Sequence, residues 1–370
     1  MRHRVDHYEY IGVIVDDILV FSKEPALIIE PLKDVYNFEL KGVGSPEYYS
    51  GGDLSFNPET GLWEFSAKTY IENLIPKLEK IYSTTLRNYG SPMEPEDHPE
   101  LDESPFLTGE RIAQYQMLIG CGQWAVTLGR FDIQYTVNTM ARYGMHPREG
   151  HEKRMLRMFG YLKFRPKLRI AANPAPACYE NFQFSDGNDW TGLYPDSEEP
   201  IDPDTPEALC PEITITVFVD ASHASNHVDM SSVAAYIQFF GQMPTKWFSK
   251  KLATIECATY GSELATARIA IEGVLAMRYK ARMLGVQVTK PATILVDNMS
   301  VVNNLQLPSS SLKKKHHACA YHKCREAVAI GVVRCAKIAS EWNLADMGTK
   351  PLGPHKMYKL SKQVLYGRFD

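Results

Sequence analysis

A mixed α/β domain over residues 213–370, preceded by a region of α+β character, is the fold class this sequence predicts. Three observations carry it. The stretch 213–220 (ITITVFVD) alternates Ile213, Ile215, Val217 and Val219 with Thr214, Thr216 and Phe218, then ends on Asp220. Strict period-2 alternation of β-branched residues reads as a strand. Residues 109–164 instead recur at helical spacing: Ile112, Tyr115, Leu118 and Ile119, then Met155, Met158, Phe159 and Leu162. Between the two lies 170–212, with ten acidic residues, seven prolines and no Lys or Arg. It reads as a linker with little buried structure, although Phe182, Phe184, Trp190 and Tyr194 are available to pack on a neighbour.

Length and composition bound the function classes. A chain of 370 residues, 44% hydrophobic and 23% charged, has ample material for two or three globular domains. No run approaches the ~18 apolar residues of a membrane-spanning helix. The polar start MRHRVDHYEY has no apolar signal-peptide region. Seven scattered cysteines, an odd number, argue against a secreted disulfide framework and for a reducing compartment. The net charge of −4 is uneven, because residues 213–370 hold 20 Lys and Arg against 10 acids. That excess predicts a polyanionic ligand, although basic surfaces also serve solubility.

The chain opens with two apolar runs, 8–15 and 18–21, flanking Asp16 and Asp17. Two carboxylates at a hairpin tip repel, and a divalent cation would relieve that; an ordinary Asp-containing turn explains the spacing equally simply. A short amphipathic helix is expected over 24–36, strands over 48–56 and 62–65, and a helix over 66–78. In the C-terminal region, strands are expected over 213–220, 231–240, 242–249, 292–296 and 332–338. A long helix carries Glu263; Leu264, Ile271 and Leu275 share one of its faces with Arg268. Asp297 follows the run 292–296 (ATILV), and Asp346 lies in NLADMGTKP. The acids Asp220, Glu263, Asp297 and Asp346 are separated by 43, 34 and 49 residues. A single helical Glu is commonly just solvated, but its position between two strand-end aspartates favours a ligand role. His316, His317, Cys319, His322 and Cys324 crowd together, yet their spacing matches no paired zinc-ligand pattern, so no structural zinc is expected there.

These words together resemble the C-terminal part of copia-type retrotransposon polyproteins. IVDDILVFSK resembles the reverse transcriptase YVDD hairpin, with Asp16 and Asp17 at its paired catalytic aspartates and Ile14 where tyrosine is usual. YYSGGDLSF resembles the primer-gripping hairpin, with Ser50 where leucine is favoured. YQMLIGCGQWAVTLGRFDIQYTVNTMARY and PREGHEKRMLRMFGYLK resemble the helical thumb and connection. VDASHAS, the helix holding SELATARIA, ILVDNMSVVNNL, LKKKHHACAYHKCRE and EWNLADMGTKPL resemble successive words of the ribonuclease H domain, with Gly261 at the family's first helical glutamate and Tyr321 and His322 matched in its K-H-x-x-x-x-Y-H word.

The resemblance implies a partial palm and primer-grip region over 1–95, a helical thumb/connection over 96–169, a linker over 170–212 and a ribonuclease H-like domain over 213–370. It further implies that Asp220, Glu263, Asp297 and Asp346 hold two Mg²⁺ (or Mn²⁺) ions and cleave RNA in RNA–DNA hybrids. Asp220 would bridge the ions, Glu263 and Asp297 would serve the leaving-group side, and Asp346 the nucleophile side. Lys250, Lys251, Lys313, Lys314 and Lys315 are the expected phosphate contacts. Reverse transcriptases also need an upstream aspartate and fingers, so the polymerase site is expected to be incomplete in this chain, far from Asp220. The implied setting is the cytoplasm, in a virus-like particle, with access to the nucleus. Two other readings remain: a non-catalytic nucleic-acid-binding remnant, and an integrase- or transposase-type nuclease. The latter needs a glutamate about 35 residues after Asp297, where the nearest acid is Glu326. No D-[ST]-G protease signature occurs.

Overall fold

A computed structural model describes residues 1–185, 187–312 and 314–367. Three sheets organise them. The first joins β1 (Arg2–His3), β2 (Tyr8–Ile14) and β3 (Asp17–Phe21) in that order. Val15 and Asp16 form the tip between β2 and β3, with Ile14 paired to Asp17. Val15 holds φ +56° and is 94% exposed, an unfavourable conformation for a β-branched residue. Helix α1 (Ala26–Asp34) follows. The second sheet runs β4 (Tyr48–Tyr49), β5 (Gly52–Asn57), β6 (Leu62–Ser66) and, from much later in the chain, β7 (Arg169–Ala171). Helix α2 (Lys68–Ile81) leads to α3 (Glu110–Thr127), α4 (Gln134–Ala141) and α5 (Glu149–Phe164).

The third sheet forms the C-terminal domain. Its strands are β8 (Ile215–Ser222), β9 (Val233–Phe240), β10 (Met243–Lys251), β11 (Ala292–Val296) and β12 (Val333–Lys337), in the order β10-β9-β8-β11-β12. The meander β8-β9-β10 is antiparallel, while β8, β11 and β12 are parallel. Parallel neighbours need crossovers. The long helix α6 (Thr259–Met283) supplies one; α7 (Met299–Gln306) and α8 (Ala318–Ala329) supply the other. Helix α9 (Pro354–Ser361) closes the chain.

Alternation on the central strands sorts residues between two cores. Ile215, Val217 and Val219 pack with Leu264, Ala267, Ile271 and Val274 of α6 and with α8. On the other face, Val233, Ile237 and Phe239 of β9 share a core with Phe131, Ile133 and Met158 of the helical region and with Leu344 and Met347. Phe131 and Trp247 of β10 lie 5.2 Å apart across that junction. The helical region is therefore packed directly on the sheet. Because β8 is central and covered on both sides, Thr216 is buried as deeply as its apolar neighbours. The strand also continues two residues past Asp220, since Asp220, Ala221 and Ser222 keep their pairing with β9.

The acidic stretch is irregular beyond β7, with none of its described residues from 172 to 212 buried, and its aromatics dock on neighbouring elements. Ile170 and Ala171 are buried in β7, which pairs with β6. Phe182 and Phe184 pack against Leu295, Ala336 and Ile338 at the parallel edge of the sheet. Trp190 lies under the Arg325 guanidinium, 4.8 Å away. Irregular backbone needs partners to stay packed, and the acids supply them. Glu199 accepts from Arg278 Nε and Nη2 at 2.8 and 2.7 Å and from both Arg282 Nη atoms at 2.7 Å.

Burial alone would raise the Glu199 carboxyl, but the two guanidiniums outweigh it and hold it down at about 2, against an ordinary 4.5. A depressed folded-state value gives stabilisation that is complete above about 4.5 and is lost as pH falls towards 2. Glu199→Gln should mimic that loss at neutral pH, by on the order of 3 kcal/mol because Arg278 stays buried. Limited proteolysis should then cut within 172–214 faster in the variant than in the parent, and the difference should shrink as pH is lowered through 4.

Candidate active site

Strand register brings two of the four acids together. Val219 of β8 pairs with Val296 of β11 in parallel, so Asp220 and Asp297, the next residues, sit side by side at the same sheet edge. Asp220 is buried, 2% exposed, whereas Asp297 just beyond β11 is partly exposed. Glu263, 4% exposed, lies on the second turn of α6. Asp346, fully buried, lies in a 3-10 turn (Leu344–Gly348) against β8 and β9. Asn343 anchors this turn: its amide donates to Val219 O at 2.9 Å and its carbonyl accepts from Ala345 N at 3.2 Å. Ser249 of β10 adds a 2.6 Å hydrogen bond to Gly348 O.

The electrostatics reflect crowding. Burial pushes the Glu263 carboxyl up to about 7, with Asp297 and then Asp220 adding like-charge repulsion, while Asn298 opposes them. Glu263 Oε1 accepts from Asn298 Nδ2 at 3.3 Å; Glu263 Oε2 is buried with no hydrogen-bond partner. Burial also raises Asp220 to about 7; Lys350 pulls it down and Asp346 pushes it up. Asp346 lies below the carboxylate range, because Lys350 and Lys356 together overcome its burial. Lys350 Nζ lies 2.7 Å from Asp346 Oδ1 and 3.3 Å from Asp220 Oδ2. Lys356 donates to Asp346 Oδ2, and the Thr349 hydroxyl donates to Asp220.

The four acids thus face one region, but no three offer ligand atoms all within 4.8 Å of one another. An ammonium occupies the space between Asp220 and Asp346. An unpartnered buried carboxylate oxygen and two carboxyls raised by burial and repulsion are what a hard divalent cation would relieve. The donors are oxygens throughout, so they fit Mg²⁺ or Mn²⁺, provided Lys350 yields its place.

Asp16 and Asp17 are not brought to this group. Asp17 Oδ2 accepts from Ser50 N at 3.2 Å, beside the β4–β5 turn. The hairpin base docks elsewhere: Tyr8 OH donates to Glu207 O at 2.9 Å and Tyr10 OH to Leu284 O at 2.6 Å. Gly285, at φ +70°, lets Tyr8 approach; a Cβ there would lie 2.2 Å from the ring. That end of α6 is about 30 Å along the helix axis from Glu263.

Of the basic candidates, Lys250 and Lys251 end β10, opposite Ala234 and Val233, and so lie near the Asp220–Ala235 pair. Lys251 is paired to Asp229. Lys314 and Lys315 are exposed at the turn before α8. The next residue but one, His317, touches the first turn of α6, where a Cβ on Gly261 would meet its ring at 2.6 Å. Lys313 lies outside the described residues.

Sequence reasoning gave Asn343, Thr349 and Lys350 no role, although all three stand in the word that supplied Asp346. Lys356 and Asn298 carried no signal. Two further clusters were missed because their members are far apart in sequence: Glu256 with His316 and His317, and His98 with Glu100 and His227.

Strand order, crossing helix and edge acids define a ribonuclease H-like domain within an α/β and α+β chain. No protein-family model matches the chain. The retrovirus-related Pol polyprotein from transposon RE1 of Arabidopsis thaliana is 26% identical over 348 residues, covering 93% of this chain and 20% of that protein. The corresponding polyprotein from transposon RE2 is 23% identical over 365 residues, covering 96% and 22%. A putative transposon Ty5-1 protein of Saccharomyces cerevisiae is 24% identical over 254 residues, 66% of each. The chain is thus a relative, over most of its length, of retrotransposon Pol polyproteins, and spans about a fifth of the length of the two plant proteins. Among solved structures, LC11-RNase H1 in complex with RNA/DNA hybrid gives a TM-score of 0.31 at 13% identity, covering 37% of this chain and 94% of that one. The foamy viral protease-reverse transcriptase in complex with RNA/DNA hybrid gives 0.29 at 12%, covering 63% and 27%. At such scores the likeness carries no argument; the fold class rests on strand order and register.

Glu263→Gln removes the charge from the unpartnered oxygen and keeps the volume. It should stabilise the metal-free protein at pH 8 by on the order of 1 kcal/mol, seen as a higher melting temperature. It should also abolish the stabilisation that Mg²⁺ gives the parent, as read by thermal denaturation with and without the ion.

Proposed function

We propose that this chain is part of a copia-type retrotransposon Pol polyprotein and that residues 213–370 hydrolyse the RNA of RNA–DNA hybrids. The convergence of Asp220, Glu263, Asp297 and Asp346 on one sheet edge, with Glu263 Oε2 unpartnered, carries this reading. Asp220 would hold both divalent ions, Glu263 and Asp297 the one on the leaving-group side, and Asp346 the one on the nucleophile side. Such ions, when bound, supply an activated water and relieve charge on the departing 3′ oxygen. The chain's own residues do the rest. Asn343 and Ser249 fix the turn carrying Asp346, and Asn298 orients Glu263. Lys350 balances Asp220 and Asp346, Lys356 balances Asp346, and Lys350 would have to yield its place to a bound ion. Lys250, Lys251, Lys314 and Lys315 flank the edge and would meet phosphates without reading sequence. The setting we propose is cytoplasmic, in a virus-like particle, with access to the nucleus.

Asp297→Asn should reduce RNA cleavage in a labelled hybrid below detection with Mg²⁺ or Mn²⁺, while circular dichroism stays that of the parent. The occupied Lys350 position favours a second reading, a nucleic-acid-binding remnant that cannot load ions. Hybrid binding without cleavage by the parent chain would select it. An integrase-type reading lacks its last acid, since Glu326 pairs with Lys323 and Ser197.

Polymerisation is a separate matter. Among the described residues, no third carboxylate closes on Asp16 and Asp17. Two-metal nucleotide transfer needs more than this exposed pair. The purified 370-residue chain should therefore fail to extend a primer on an RNA template, and Asp16→Asn should leave the hybrid cleavage rate within about twofold of the parent's. Robust incorporation of labelled nucleotides by the chain alone would refute the first expectation; a collapse of cleavage in the variant, the second.

A further inference from the structure

We propose that His98, Glu100 and His227 form a binding site for one divalent transition-metal ion of the zinc class, fastening the β8–β9 connection to the helical region. A ring nitrogen from each histidine and a carboxylate oxygen of Glu100 lie within 4.8 Å of one another. The residues come from opposite sides of the interdomain junction. His98 and Glu100 lie at a 3-10 turn (Pro99–Leu101) before α3. His227 lies in the loop between Ser222 of β8 and Val233 of β9.

The site is already partly built. The two imidazoles stack with centroids 3.8 Å apart and planes at 24°. Glu100 Oε1 accepts from the His227 backbone N–H at 3.0 Å and lies 2.9 Å from His98 Nδ1. The Glu100 side chain is only 8% exposed. One main-chain amide thus orients both the loop and the carboxylate, the supporting role that metal ligands need.

Donor chemistry selects the ion. Two imidazoles and one carboxylate suit Zn²⁺, Co²⁺ or Ni²⁺ better than Mg²⁺ or Ca²⁺, which take oxygens. Tetrahedral zinc with bonds of about 2.0–2.1 Å sets ligand atoms roughly 3.3 Å apart. Nitrogen lone pairs lie in their ring planes, so binding one ion would unstack the imidazoles and turn both His98, which is half-buried, and His227, which is exposed. The exposed side leaves a fourth position to water. The consequence reaches the acid cluster, because this loop leaves β8 two residues after Asp220, and its His223 lies 3.3 Å from the Ser262 hydroxyl on α6.

The competing cluster is built differently. His317 Nδ1 lies 3.6 Å from Glu256, and both side chains fill the space that Gly261 leaves open on α6. That arrangement reads as packing around a glycine, and it serves as the internal control.

The test uses the full chain. Co²⁺ titration should reveal one site with the intense d–d absorption of tetrahedral nitrogen-containing coordination, and Zn²⁺ should displace it. His227→Ala alters an exposed side chain and should fold normally by circular dichroism. It should weaken Co²⁺ binding at least about tenfold and remove the rise in melting temperature that Zn²⁺ gives the parent. His98→Ala should do the same, and His316→Ala combined with His317→Ala should leave both readouts unchanged. Equal affinity in the parent and His227→Ala, loss of binding only in the His316/His317 variant, or a weak octahedral spectrum would each overturn the site. If His98→Ala does not fold, His227→Ala decides alone.

Discussion

Carboxylates crowded at a buried sheet edge are costly, and much of the C-terminal domain can be understood as the structure that keeps them there. Asp220 is buried in a central strand, Asp346 is wholly covered, and Glu263 has one oxygen without a partner. Separately, each would sooner be protonated than charged. The protein balances part of that cost with Lys350 and Lys356 and with the Thr349 hydroxyl. The remainder is left at Glu263, and unrelieved electrostatic cost of this kind marks sites that act on a ligand.

Holding the acids requires a rigid frame, and the frame extends beyond the sheet. One face of β9 shares its core with the helical region, the other with α6. Residues 170–212 close a third side, with Phe182 and Phe184 on β11 and β12 and Glu199 on two arginines of α6. Those same arginines lie towards the helix end opposite Glu263. The stretch that looks most like a spacer therefore braces the element that delivers a site residue. His98, Glu100 and His227 brace the opposite side in the same way.

The N-terminal hairpin follows a different logic. Its apolar residues Ile11, Val13 and Val15 are exposed, and its tip carries two solvated aspartates. Its base is bonded to the acidic stretch through Tyr8 and to the residue after α6 through Tyr10. Those contacts meet α6 at the end opposite Glu263.

Local pattern located most strands and helices of this protein, and the resemblance singled out four acids that the fold places at one sheet edge. Alternation of Ile, Val and Thr marks β8 because a pleated strand presents successive residues to opposite faces. Short motifs around Asp220, Glu263, Asp297 and Asp346 were legible because the acids follow or interrupt apolar runs or lie on a helix with an apolar face. Tertiary structure alone decided which cations answer them. Lys350 lies four residues from Asp346 and could be suspected; Lys356 reaches the same carboxylate only because α9 folds back. Where the acidic stretch docks was only partly legible: its aromatics marked it as able to pack, but not against what. Its composition is that of a solvated chain, and the arginines that reverse that preference lie about 80 residues away, on a helix whose position depends on the whole sheet. The pairing of His98 with His227 has the same origin: contacts across 129 residues are set by how two cores pack, which no local spacing records.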